Sequence, residues 1–152
     1  MVNHRLLAIA VLAPMILSCA SGSAMHGWWM PEASNTVTIN GETKTFSSGW
    51  FLRPKYFGAC GLRVGRFQGQ ITGLRLHKGS YRNSVLTLSR GEIVQGNYSD
   101  EYFRNPERFF IEGERLRMET LVLGETEPRT SYLVRSPPPS DGAVLAAAAR
   151  CE

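Results

Sequence analysis

Glycine recurs at every fourth position in one stretch of the chain, and this spacing restricts what the stretch can form. The glycines are Gly61, Gly65, Gly69 and Gly73. Small residues at this spacing pack membrane helices together, but the intervening Arg63 and Arg66 exclude a lipid environment. Because four is an even number, on one strand all the glycines share a face, with Phe67 and Ile71 between them. Such a bare stripe permits a sharp bend, which is typical of coiled sheets and small barrels.

Short alternating segments separated by turn residues indicate further strands. Asn40-Gly41 lies between two alternating segments, residues 37–39 and 43–46. This dipeptide is the strongest short signal for a hairpin, because both positions tolerate a positive φ. A second hairpin is predicted between residues 85–88 and residues 93–98, with Arg90-Gly91-Glu92 as its turn.

The end of the chain predicts a last strand and a short helix. Residues 130–134 form the strand, and Pro137-Pro138-Pro139 breaks the sheet after it. Asp141 is then expected to cap an alanine-rich helix over residues 143–150. The fold class predicted is all-β: a single antiparallel small barrel or sandwich of about seven or eight short strands with a short C-terminal helix.

The first eighteen residues have the parts of a secretory signal peptide. Arg5 is the charged residue at the start, and an apolar run at residues 6–17 ends in small residues. Twelve apolar residues with a proline among them are too few to span a bilayer, which takes ~20. We therefore expect the chain to be exported.

The ending Ile16-Leu17-Ser18-Cys19 resembles the lipobox of bacterial lipoproteins. The resemblance implies cleavage before Cys19 and lipids on its thiol and new amino terminus, so the membrane is a partner. Several acyl chains on one residue make such an attachment durable. Ala20 is not the aspartate that retains such proteins at the inner membrane, which favours the outer membrane with the domain facing the periplasm. The alternative is an ordinary cleaved signal that ends among residues 20–24.

These observations divide the chain into four parts. They are residues 1–18 as signal peptide, 19–30 as lipidated cysteine and tether, 31–136 as β domain, and 137–152 as Pro-rich break and short helix. Trp28 and Trp29 stand at the end of the tether. They are candidate membrane-proximal aromatics, since amphipathic rings favour the headgroup level. The alternative is that they plug one end of the core.

Cys60 and Cys151 remain once Cys19 is lipidated. In an oxidising envelope a remaining pair of thiols favours a disulfide. The two lie 91 positions apart, and loop-entropy arguments give such a bridge ~4 kcal/mol. Two thiols that are never oxidised are the alternative.

Charge is unevenly distributed along the chain. Residues 43–91 contain nine basic side chains and no acid, whereas residues 92–152 contain eleven acids and seven arginines. Pairing of strands from the two halves would neutralise both sets. Alternatively, the basic residues form a face for an anionic partner. The residues of this candidate face are Arg53, Lys55, Arg63, Arg66, Arg75, Lys78 and Arg82.

The chain lacks the patterns of an enzyme or a metal protein. His26 lies in the tether and His77 is placed after a strand, and neither has a partner at metal-ligand spacing. The nearby carboxylates Glu112 and Glu114 are flanked by arginines, which indicates solvated ion pairs. We predict no catalytic residues, no metal and no cofactor. An exported chain is not expected to bind nucleic acid.

The resulting hypothesis is a non-enzymatic binding module, anchored in the envelope, that binds another envelope macromolecule. It would be an inhibitor or immunity protein, or an accessory subunit of an envelope assembly. The alternative is a lipocalin-like carrier of an apolar ligand. Residues such as Trp50, Phe67, Ile71 and Met118 would then line its cavity. A minor cell-wall enzyme is a remote third hypothesis.

Overall fold

The structure is a computed structural model that describes residues 24–89, 91–96, 106–121 and 124–152. Within these ranges the chain forms ten strands and a C-terminal helix. They are β1 Gly27–Pro31, β2 Asn35–Ile39, β3 Glu42–Lys55, β4 Gly58–Phe67, β5 Gln70–Arg82, β6 Val85–Leu88, β7 Glu92–Gln95, β8 Glu107–Glu112, β9 Arg115–Thr120, β10 Arg129–Arg135 and α1 Gly142–Ala149. The predicted signal peptide and Cys19 lie outside the described residues.

Eight of these strands close into an antiparallel barrel. Around the ring they follow the order β1, β3, β4, β5, β6, β8, β9, β10, and β1 closes it by pairing with both β3 and β10. Outside the ring, β2 pairs with β3 and β7 pairs with β5. The predicted all-β antiparallel fold with a short C-terminal helix is therefore confirmed, and its form is a barrel.

The two ends of the barrel carry different elements. At the lower end Gly27 of β1 pairs with Leu52, and the turn at Tyr56-Phe57 joins β3 to β4. At the upper end the turn at Gln68-Gly69 joins β4 to β5. Because β3 is 14 residues long, its first part extends beyond the ring at the upper end, where it pairs with β2.

Alternating residues of the strands fill the barrel interior. On β3, Trp50 and Leu52 point inward, and Phe51 between them lies in a separate cluster outside. The inner cluster consists of Met25, Trp29, Trp50, Leu52, Ala59, Leu86, Leu88, Phe109, Leu116 and Leu133. These side chains, large aromatics among them, make the lower part of the barrel a packed core.

A second apolar cluster covers the outer face of β3, β4 and β5. It consists of Phe51, Cys60, Leu62, Val64, Leu74, Leu76, Val144, Ala147, Ala148 and Cys151. Helix α1 supplies its outer side. The Asp141 carboxylate accepts a hydrogen bond from the Val144 amide at 3.0 Å, and Cys60 and Cys151 form a disulfide with a Cα–Cα distance of 5.4 Å. The predicted cap, helix and disulfide are confirmed.

The glycine stripe forms a hairpin and not the single strand that its spacing predicted. Gly61 and Gly65 lie in β4, Gly73 lies in β5 opposite Gly65, and Gly69 lies in the turn between the strands. Gln68 and Gly69 have φ values of 52° and 78°, which suit a two-residue hairpin turn. Because the chain reverses direction at Gln68 and Gly69, the four glycines do not lie along one strand.

The predicted hairpin around Arg90-Gly91-Glu92 is also corrected. Strands β6 and β7 do not pair with each other. Both pair with β5, β6 at residues 79–82 and β7 at residues 74–76, because β5 has 13 residues and each of the others has four. The hairpin predicted at Asn40-Gly41 is confirmed, with φ values of 52° and 79°.

The barrel begins before residue 31. Strand β1 starts at Gly27, so residues 27–30, which were assigned to the tether, form part of the barrel wall. Buried Met25 belongs to the inner cluster. The stretch between Cys19 and the folded domain is therefore shorter than the sequence indicated.

Candidate functional site

The structure does not bring the seven basic residues of the candidate face together. Arg63 and Arg75 point into the barrel, where Arg75 is 3% exposed. Arg66 lies near the upper end, with its guanidinium 3.7 Å from the Met30 sulfur. The remaining four lie on the outer side toward the lower end: Arg53, Lys55, Lys78 and Arg82.

Acids from the second half of the chain neutralise part of the basic run. The Arg53 guanidinium lies 3.0 Å from the Glu152 carboxylate, and the Arg63 guanidinium lies 3.9 Å from the Glu107 carboxylate. This is the cross-pairing that the charge distribution suggested as one alternative. Lys55, Lys78 and Arg82 remain exposed to solvent.

A charged cluster lies inside the barrel above the apolar core. Arg63 donates from Nε to the Ser48 hydroxyl at 3.2 Å, and its guanidinium is 5.8 Å from the Trp50 ring centroid. Glu107 is 4% exposed. Burial raises the pKa of its carboxyl, while the charges of Arg63 and Arg75 partly oppose that rise. The cluster ties β3, β4, β5 and β8 together across the interior.

His77 also lies inside the barrel. It is within β5, 2% exposed, and not after a strand as the sequence suggested. Its Nδ1–H donates to the Ser89 carbonyl at 2.7 Å, and its ring packs 5.2 Å from that of Trp50. Among the described residues, no group of His, Cys, Asp or Glu side chains is placed to hold a metal ion.

The two tryptophans of the predicted tether differ in their surroundings. Trp29 is 2% exposed in the inner cluster, and its Nε1 donates to the Met25 carbonyl at 2.8 Å. Trp28 is half-buried, with its ring 5.0 Å from that of Phe51. Trp29 therefore plugs the core, which was one of the two alternatives.

A different aromatic pair is fully exposed. Tyr56 and Phe57 form the turn between β3 and β4 at the lower end and are 88% and 95% exposed. Their ring centroids are 4.5 Å apart in an edge-to-face arrangement. The strand pattern of the sequence did not single out this pair as a surface feature. The signal for it is an aromatic dipeptide that begins two residues after Pro54, where the strand pattern stops.

Arg135 fixes the segment that leads into the barrel. Its guanidinium donates to the carbonyls of Ala24 and His26 and lies 4.2 Å from the Trp29 ring centroid. Partial desolvation lowers the pKa of Arg135. These contacts hold Ala24, the first residue that the structure describes, at the lower end of the barrel.

The upper end carries an exposed apolar face. Phe46 on β3 lies opposite Phe67 on β4, and Val37 and Ile39 face the same way from β2. Their side chains are between 37% and 45% exposed. Glu42 and Lys44 form an ion pair on the same face. Because residues at even positions of β3 point inward, this upper apolar face continues the inner wall of the barrel beyond its rim.

Comparison with protein-family models, with curated proteins and with solved structures finds no match for this chain. What the geometry defines is an eight-stranded antiparallel β-barrel with an exposed aromatic turn at one end and an exposed apolar face at the other. In the described part of the chain, no helix has the length and apolar character needed to cross a membrane.

Proposed function

We propose that the chain is a lipid-anchored binding module of the cell envelope, and that its protein partner adds an extended segment to strand β2. The observation that carries this proposal is the upper apolar face. Val37, Ile39, Phe46 and Phe67 are left exposed next to a free sheet edge. The partner would be the target of an inhibitor or a subunit of an envelope assembly.

The edge of β2 favours a polypeptide strand as the occupant. Among the described strands β2 pairs with β3 alone, so its other side offers backbone N–H and C=O groups. Exposed edges are usually protected by charges, prolines or bulges. The sequence Asn35-Thr-Val-Thr-Ile39 has none of these. An added strand would pair with this backbone and pack alternate apolar side chains against Val37 and Ile39.

The proposed anchor directs this surface away from the membrane. Cys19 precedes Ala24 by five residues, which reach at most ~17 Å when fully extended. Strand β3 has 14 residues and therefore runs for about 45 Å between the two ends. The lower end is thus held at the bilayer, and the upper apolar face is accessible to a periplasmic partner.

The carrier hypothesis has less support. Of the four residues that would line its cavity, Trp50 belongs to the inner cluster and Met118 packs against it. Ile71 packs on the outer cluster, and Phe67 is exposed at the upper end. The lower interior is filled by side chains such as Trp29 and Phe109, so these residues do not surround a common space.

Site-specific cross-linking in cells tests the proposed function. A photoreactive residue at position 37 should capture one envelope protein. Val37→Lys/Ile39→Lys should abolish co-purification of that protein, because the charges prevent burial of the face. The matched control is Thr36→Lys/Thr38→Lys, which puts the same charges on the other face of the same strand and should retain the partner.

Two outcomes would contradict the proposal, one for the docking site and one for the lipid anchor. Equal loss of the partner in both double variants would show that the upper apolar face is not the docking site. The anchor is tested separately by metabolic labelling with a fatty-acid analogue. Label should be incorporated into the wild type and not into Cys19→Ser, and an unlabelled wild type would refute the lipid anchor.

A further inference from the structure

We infer that the Tyr56-Phe57 turn is a second membrane contact, which rests on an anionic phospholipid surface and sets the orientation of the barrel. This inference deepens the proposed function, because it depends on the lipid anchor for its geometry. Its chemistry is that of two exposed aromatic rings beside exposed cationic side chains.

The aromatic pair has the properties of a membrane-interface anchor. At 88% and 95% exposure, Tyr56 and Phe57 leave apolar ring surface in water that a packed domain would normally bury. Tyrosine has an apolar ring and a polar hydroxyl, and such residues are enriched at the headgroup level of bilayers. The two rings are held together on a tight turn, so they can enter the interface as one unit.

The anchor places this turn next to the bilayer. Gly27 pairs with Leu52, close before the turn in β3, and Arg135 holds the carbonyls of Ala24 and His26 at the same end. With Cys19 five residues before Ala24, the tether reaches at most ~17 Å. A small folded domain is ~30 Å across. The tether is therefore too short to leave room for a protein between the turn and the membrane.

The charges at the lower end complement anionic headgroups. Lys55 precedes the aromatic pair, Lys78 lies opposite Cys60, and Arg82 ends β5. All three are exposed, and basic residues near an anionic membrane surface are attracted to it. Acids are also present at this end. Glu152 pairs with Arg53 at 3.0 Å and Glu112 pairs with Arg117 at 2.6 Å, while Glu114 lies across the barrel in the turn between β8 and β9.

The first experiment measures the depth of the turn in a bilayer. The full lipidated chain is reconstituted in vesicles of phosphatidylethanolamine and phosphatidylglycerol, with a spin label on Phe57→Cys. The control label is on Gln68→Cys at the upper end. The label at 57 should be accessible to dissolved oxygen and shielded from a water-soluble nickel reagent, and the label at 68 should show the reverse. Equal exposure of both labels to the nickel reagent would overturn the inference.

A second measurement separates the turn from the anchor. The mature chain from residue 19 with Cys19→Ser is mixed with the same vesicles. It should partition weakly, and Tyr56→Ser/Phe57→Ser should reduce that partition about tenfold. The control Ile93→Ser/Leu145→Ser removes two exposed apolar side chains that belong to neither the turn nor the upper apolar face and should leave the partition unchanged. If the turn variant partitions like its parent, the inference fails even where the chain proves to be lipidated. If the wild type proves unlipidated but the turn variant loses binding, the anchor fails and the turn contact stands.

Discussion

The guanidinium of Arg135 lies 4.2 Å from the centroid of the Trp29 ring. The same guanidinium donates to two backbone carbonyls of the segment before β1. One side chain thus covers the end of the core and fixes the point from which the chain leaves the barrel. That point determines which end of the barrel a lipid on Cys19 would hold at the membrane.

Arg135→Gln should loosen this segment. It removes a cation–π contact and two charged hydrogen bonds, and because Arg135 is partly exposed we expect a loss of about 1 kcal/mol in the free energy of unfolding. Urea unfolding and faster amide exchange at residues 25–29 would show it. The control on the same strand is Arg129→Gln, which breaks only the exposed pair with Glu125 and should have no measurable effect. Equal effects of both variants would refute this role of Arg135.

Replacing the disulfide should destabilise the domain strongly. Cys60 and Cys151 close a loop of 91 positions, so Cys60→Ser/Cys151→Ser should lose ~4 kcal/mol in the free energy of unfolding. Helix α1 has only eight residues, and a helix of that length is marginal when it is not held in place. Denaturant unfolding and far-ultraviolet circular dichroism would measure both effects. A variant with the wild-type unfolding midpoint would contradict the prediction.

Gly61→Ala should overpack the barrel interior. The added methyl group would overlap the Leu88 side chain and lie 3.3 Å from that of Leu52. Overpacking of this kind costs about 1–3 kcal/mol, and adding Leu88→Val should restore part of the loss. The control is Gly142→Ala at the start of α1, where the new methyl meets nothing within 4 Å. Thermal unfolding should leave this control at or above the wild type.

Glu107 should make stability fall as pH rises above the usual carboxyl pKa. Burial raises the pKa of Glu107 above 4.5, so the folded state binds more protons than the unfolded state between the two values. The contribution of Glu107 to the free energy of unfolding is fully present below pH 4.5 and is lost as pH rises through the pKa that Glu107 has in the folded state. The free energy of unfolding of the wild type minus that of Glu107→Gln should therefore decrease as pH rises through that window. Urea titrations at several pH values would measure it. A difference that grows with pH would show that the ion pair with Arg63 outweighs burial.

Local signals in the sequence predicted the elements whose structure depends on adjacent residues. Asn40-Gly41 needs only two positive φ values to form its turn, and Asp141 needs only the Val144 amide nearby. The disulfide followed from the number of cysteines left for pairing. The turn and the cap were predictable because little of their energy comes from distant parts of the chain, whereas the disulfide joins residues 91 positions apart and rested on the cysteine count alone.

Predictions that depended on partner strands were less successful. The spacing of glycines could not distinguish one strand from two, because Gly65 and Gly73 share a face in either case. The basic run gave no sign that Arg63 and Arg75 point inward, since that follows from the register of β4 and β5. Strand β5 is long enough to pair with both β6 and β7, and the length of β5 is not evident from the residues of β7.

The candidate surfaces were only partly predictable. The adjacent pair Trp28 and Trp29 suggested a contact with the membrane, although the alternation of side chains along β1 buries Trp29. Tyr56 and Phe57 are exposed because a turn places both outside the alternation of a strand. The upper apolar face was not foreseen, because Phe46 and Phe67 come together only through the pairing of β3 with β4.

Both ends of the described chain lie at the lower end of the barrel, since Glu152 pairs with Arg53 and Cys151 is bridged to Cys60. In the proposed orientation, with the lower end at the bilayer, a carboxyl-terminal fluorescent protein or affinity tag would lie between the domain and the membrane. The Gln68-Gly69 turn is exposed at the other end, and a reporter inserted there would extend into the aqueous compartment. Fusion design for this protein should thus use an internal site in place of the chain terminus.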